Sequence, residues 1–209
     1  PSYNFVPVFW LASEDHDFDE ISSINLFNKK VSWKTNQKGT VGSMKLDDFD
    51  LVLDELDDLM CNDKNYQYLR EIFRNAYNKK NNLSEATRFL INQLFGSYGL
   101  LVIDGDNKQL KSKLIDIIDK DVNENHFYKI ILQTNKKIQK LYHKQAFVRP
   151  VNFFNISDNN RVRIENKIDK QKIVNSPEDY SPNVLLRPIY QELILPNIAY
   201  VGGGGEISY

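Results

Sequence analysis

Apolar and polar positions follow two periods along this chain. Residues 5–11 (FVPVFWL) and 100–103 (LLVI) are compact apolar runs, which predict strands buried on both faces. Residues 24–27 and 31–35 are shorter strand candidates ahead of a turn holding Gly39 and Gly42. From Leu46 the period becomes helical: Leu46, Phe49, Val52, Leu53, Leu56 and Leu59, then Tyr66, Leu69, Ile72, Phe73 and Ala76, then Ala86, Phe89, Leu90 and Leu94. Three consecutive helices are predicted there, the last entered at Ser84 with Thr87 one turn on and stopped by Gly96 and Gly99. A long helical stretch covers residues 110–142, with a break near 123–125. Residues 147–156 and 161–167 read as strands joined by a polar turn at 157–160. After a polar connection bracketed by Pro177 and Pro182, residues 185–195 are helical, with Pro188 near their start. Residues 197–201 then form a short strand leading into Gly202 to Gly205 and Glu206.

Strands that end in polar or glycine-rich loops at Ser13, Asp104 and Gly202, with helices between them, predict an α/β fold built on a parallel sheet. Ligands bind beyond the carboxyl ends of such strands, so the chemistry is expected where these three loops meet. The segments are 1–45, the first part of the core; 46–99, a helical insertion; 100–146, a core strand and long helix; 147–175, a β-hairpin connecting segment; and 176–209, the return to the core.

Composition narrows the class. With 209 residues, 41% hydrophobic and 26% charged, the chain is neither collagen-like nor wholly disordered. Lys and Arg number 27 against 28 Asp and Glu, so no global field favours nucleic acid or an anionic membrane. No apolar run approaches the roughly 20 residues of a membrane-spanning helix. A single cysteine, Cys61, is read as a packing residue of the first helix and fits a reducing, cytoplasmic compartment. The chain opens at Pro1 with no signal peptide pattern and is read as a piece of a longer protein.

Four groups of residues carry candidate chemistry. In Ser13-Glu14-Asp15-His16-Asp17, with Asp19 and Glu20 beyond, a histidine among carboxylates can act as general acid or base or help to hold a divalent metal. Alternatively the acids cap the next helix and His16 is a loop residue. Asp104, Asp106 and Lys108 follow a strand, where an acid binds a ribose hydroxyl or a metal-bound water, or simply forms a turn. Gly202 to Gly205 let backbone N–H groups approach an anion, or make a flexible turn. Arg149 with Asn152, and Arg187 with Gln191, four residues on, and Glu192, suit a carboxylate or phosphate, or bond a helix end. The lysine-rich run 136–144 is a solvated helix face, and His126 and His143 are structural.

The segments VPVFWLASEDHDFDEI, LFGSYGLLVIDGDNKQLK, VRPVNFF and SPNVLLRPIYQELILPNIAYVGGGGEISY closely resemble the bacillithiol biosynthesis cysteine-adding enzymes, the BshC family of cysteine ligases. The resemblance covers nearly the whole chain. It implies a Rossmann-like core with inserted helical and small β connecting segments, and in the complete protein an upstream first strand, a downstream coiled coil and a homodimer. The implied activity is the last step of bacillithiol synthesis, addition of cysteine to glucosaminyl-malate through an amide bond, with ATP and Mg expected and no tightly bound cofactor or resident metal. Carried onto this chain, the catalytic positions are Glu14, Asp15, His16 and Asp17. Those for substrate are Arg149, Asn152, Asn183, Arg187, Gln191 and Glu192, and those for nucleotide are Ser13, Asp104, Gly202, Gly203 and Glu206. A non-catalytic nucleotide- or thiol-metabolite-binding module, scaffolded through the coiled coil, is the alternative, and a metal-dependent hydrolase on residues 14–20 is a third reading.

Overall fold

A computed structural model describes residues 4–60, 64–143, 146–158 and 160–207. Cys61 lies outside the described residues. The chain forms two compact units, one ending at Gly105 and the other beginning at Asp106.

The first unit opens with strand β1 (Val8–Leu11) and the single-turn helix α1 (Phe18–Ile21). Strands β2 (Ser23–Leu26) and β3 (Lys29–Ser32) form an antiparallel hairpin. Its two-residue turn, Phe27-Asn28, has both residues left-handed, at φ 49° and 62°, as a hairpin turn matched to strand twist requires. Helices α2 (Phe49–Met60), α3 (Tyr66–Ala76) and α4 (Leu83–Phe95) realise the helical period from Leu46 onward. The entry to α4 lies two residues before the expected Ser84: Asn82 accepts from Glu85 N, and the Glu85 carboxylate accepts from Asn82 N, a reciprocal cap. Gly99, at φ 82°, reverses the chain after α4. Strand β4 (Leu101–Asp104) then lies parallel to β1, pairing Val8 with Leu101 and Leu11 with Asp104.

The expected full burial of the first strand is corrected. Val8 and Phe9 are exposed and only Leu11 is buried, because β1 and β4 form a two-stranded sheet with open edges and surface. The core lies instead around Val31, Trp33, Met44, Leu46, Val52, Ala76 and Ala86. Phe18 meets Trp33 and Trp33 meets Phe49 edge to face, while Phe49 stacks on Tyr77, with ring centres 4.8–5.3 Å apart, geometry that adds to simple area burial.

The second unit begins with α5 (Lys108–Lys111), a 3₁₀ turn, α6 (Ile115–Glu124) and α7 (His126–Ile138). The predicted break falls at Asn125, in the left-handed region at φ 51°. Strands β5 (Phe153–Ser157) and β6 (Asn160–Arg163) form the predicted hairpin, shorter at both outer ends than expected. Helix α8 (Lys170–Asn175) was not expected within the hairpin segment 147–175, and strand β7 (Tyr180–Pro182) replaces the predicted polar connection, pairing with β5 to make a three-stranded sheet. Three residues ending in proline give no strand period to read, and an edge position tolerates that proline.

Helix α9 (Arg187–Ile194) starts beside Pro188 as predicted. Residues 197–201 are not a strand: no strand pairs with them among the described residues, and Val201 is 96% exposed. A single helical turn, α10 (Gly204–Ile207), follows. The second core gathers Leu114, Ile118, Val122, Phe153, Ile173, Leu186 and Tyr190, each large apolar side chain contributing roughly 1.5–3 kcal/mol on burial. Among the described residues no helix is long and apolar enough to cross a membrane.

Candidate functional site

In the first unit, the chain leaves β1 at Leu11 and turns at once, Asp15 N donating to Ala12 O at 3.2 Å. Ser13 and Glu14 are buried by this turn, His16 is half-buried, and Asp15 and Asp17 are exposed. The parallel pairing puts Asp104 opposite Leu11, and Ser13 Oγ donates to its carboxylate. The loops after the first two predicted strands therefore do meet. Ser84 Oγ at 2.8 Å and Arg88 Nη2 at 3.1 Å donate to the second Asp104 oxygen. Ser13 and Asp104, expected on a nucleotide, thus direct polar atoms at each other and at α4, making a latch between the β1 loop and the helix.

The other side of the loop is held by backbone. Val41 N donates to Asp15 O at 2.7 Å and Gly42 N to Ser13 O at 2.9 Å. A Cβ on Gly42 would lie 2.7 Å from Ser13 O, so the close approach requires glycine. Within the loop, Asp15 Oδ1 accepts from His16 N at 2.7 Å and Asp17 N at 3.4 Å. His16 Nδ1 lies 3.0 Å from Glu14 O. A carbonyl only accepts, so Nδ1 is the donor in this pair. Asp17 occupies the N-cap position of α1 without a side-chain capping bond, so helix capping does not account for it.

In the second unit, four of the expected residues assemble around the start of α9. Asn152 is 1% exposed, with its N donating to Asp121 Oδ2 at 2.5 Å and its Nδ2 to Asp121 Oδ1 and Arg149 O, both at 3.1 Å. Asn183 Nδ2 donates to Asn152 Oδ1 at 3.0 Å, and Asn183 Oδ1 accepts from Leu185 N at 3.0 Å and Leu186 N at 3.2 Å. Asn152, expected to touch substrate, has its amide enclosed and bonded to Asp121, Arg149 O and Asn183. Arg187 and Gln191 meet as their spacing predicts, Nη1 donating to Oε1 at 3.3 Å, while Arg187 Nη2 donates to Tyr200 Oη at 2.6 Å. Glu192 Oε1 accepts from Asn197 Nδ2 at 2.8 Å, and the Arg149 side chain is exposed.

Asp121 is the main residue that the sequence reading passed over. Burial pushes its carboxyl above the ordinary range, against the bonds from Asn152 and Phe153 N. A signal existed: Asp121 falls three residues after Ile118 and beside Val122, on the apolar stripe of α6, where a carboxylate needs a partner. Tyr200, Ser84 and Arg88 carried no comparable signal.

Nucleotide and metal fit less well. Open space surrounds the Cβ positions of Gly203, Gly204 and Gly205, so no close approach there requires glycine. Glu206 lies within α10. Among the described residues no three His, Cys, Asp or Glu side chains converge in a way that could hold a metal ion, which removes the support for a hydrolase metal at residues 14–20.

A family model described as the N-terminal Rossmann-like domain of bacillithiol biosynthesis BshC matches residues 2–209. The chain belongs to the BshC family. Its fold is accordingly Rossmann-like α/β, with the β1–β4 pair its parallel sheet. Proteins named "Putative cysteine ligase BshC" from Flavobacterium johnsoniae and Flavobacterium psychrophilum are each 40% identical to all of this chain, which covers 42% of their length. The relative of the same name from Cytophaga hutchinsonii is 39% identical over 98% of the chain and 41% of its own length. The chain thus spans less than half of the BshC relatives that it matches.

Proposed function

We propose that the full-length protein is a cytoplasmic, homodimeric cysteine ligase of bacillithiol synthesis, joining cysteine to glucosaminyl-malate through an amide bond. The family match over residues 2–209 carries this reading. The His16 geometry supplies its chemistry. An amine attacks a carbonyl carbon only as its neutral, unprotonated form, and Nε2 of His16 is the ring position that accepts a proton. In the reaction the amine nitrogen bonds the cysteine carbonyl carbon, the carboxyl's activating group departs with its electron pair, and the amine proton passes to Nε2. The Nδ1 bond to Glu14 O and the Asp15 bracing of the loop hold the ring for that transfer.

Arg187, steadied by Gln191 and Tyr200, is assigned to a substrate carboxylate. Carboxylate and amine do not condense spontaneously in water, so the cysteine carboxyl arrives activated, with ATP and Mg the expected source.

The test uses the full-length protein with glucosaminyl-malate, cysteine and ATP-Mg, and product analysis by mass spectrometry. Bacillithiol with one AMP per turnover is expected. Binding of glucosaminyl-malate without product under any nucleotide would favour the binding-module reading instead.

A further inference from the structure

Asp121 is a fully buried carboxylate that the proposed chemistry does not use, and Asn152, bonded to both its oxygens, leads on toward Arg187. A carboxylate only accepts hydrogen bonds, whereas an asparagine amide has one accepting end and one donating end. Asp121 receives Asn152 Nδ2, so the Asn152 oxygen points away and receives Asn183 Nδ2. The Asn183 oxygen is then turned toward Leu185 N and Leu186 N, two backbone donors at the entry to α9. The backbone follows the same line: Asn183 N donates to Asn152 O at 2.8 Å, and Arg187 N to Asn183 O at 2.9 Å. Reversing either amide would set NH₂ against N–H.

We infer that Asp121 is a positioning residue: its carboxylate sets the direction of the Asn152 and Asn183 amides and so fixes the turn from which α9 presents Arg187. The placement of Arg187 on a substrate carboxylate rests on the proposed function; the relay itself does not.

Two variants of the full-length protein separate these claims. In Asp121→Asn, Asn152 N keeps an oxygen partner, but the new NH₂ faces Asn152 Nδ2 and forces both amides to turn. The double variant D121N/N152D loses the bond to Arg149 O but restores the direction of the relay: the carboxylate at position 152 accepts from both neighbours, and the Asn183 oxygen returns to Leu185 and Leu186. Amide hydrogen exchange over residues 183–187 is expected to accelerate about tenfold or more in D121N and return to within about twofold of the parent in the double variant. Unchanged exchange in D121N, or fast exchange in the double variant, overturns the relay. If D121N does not fold, parent-like exchange in the double variant still supports the relay, because that variant contains the same substitution.

KM for glucosaminyl-malate is expected to rise about tenfold in D121N with kcat little changed, and to recover in the double variant. Exchange that follows amide direction while KM stays constant supports the relay and overturns the assignment of Arg187 to the substrate.

Discussion

His16 holds Nδ1 on the Glu14 carbonyl, a donor contact that a glutamine amide can also make. Replacement by glutamine keeps a polar side chain of similar reach but removes the proton acceptor. His16→Gln in the full-length protein is expected to lower kcat by about 10²-fold or more with KM nearly unchanged, since general-base catalysis contributes about 10²–10⁴. Steady-state kinetics with unchanged thermal melting checks this. The cluster around His16 was legible in the sequence, since Glu14, Asp15, Asp17, Asp19 and Glu20 surround a histidine just after a predicted strand. The partners of Asp104 and Asn152 within the protein were not, because a motif letter does not say what its polar atoms bond. Asp104 meets Ser84 and Arg88 from residues 16–20 positions away, and Asn152 meets Asp121 across 31. No local period encodes such pairings.

Helices were the most legible parts, since burial repeats every third or fourth residue and α2, α3, α4 and α9 appear as predicted. The short β7 and α8 were hidden because each is too brief to show a period. What joins α2 to α3 is electrostatic as well as apolar. Asp57 on α2 accepts from Tyr66 Oη at 2.8 Å, Arg70 Nε at 2.9 Å and Arg74 Nη2 on α3. Partial burial pushes the Asp57 carboxyl up, but the bonds from Arg74, Tyr66 and Arg70 outweigh it and hold it at about 2, against an ordinary 3.8. A carboxyl whose folded value is depressed stabilises the fold above its unfolded value and loses that contribution as pH falls through the folded one. The stability difference between the parent and Asp57→Asn, from urea melts, is therefore expected to be constant above about pH 5 and to shrink from about pH 4 toward pH 2. A difference independent of pH in that window would show that the carboxylate's charge contributes nothing.

The two units share a sequence whose family is shown along nearly its full length, and the Rossmann-like class was readable from apolar strands alternating with helices. The burial of those strands was not, because burial depends on which neighbours flank a strand. The parallel pair has a temporal consequence as well. Leu101 follows its partner Val8 by 93 positions (101 − 8), so the ladder closes a long intervening segment, and closure of that kind is slow unless local structure shortens it. Helices α2 to α4, with their near-neighbour contacts, are expected to gain protection first in pulse-labelling exchange, and the β1–β4 amides last. During synthesis at the ribosome, β1 then waits unpaired until residues 101–104 have emerged. The Ser13–Asp104 latch, and with it the loop that carries His16, is accordingly among the last parts of the first unit to form, so the proposed base takes its place with the completion of folding rather than before it.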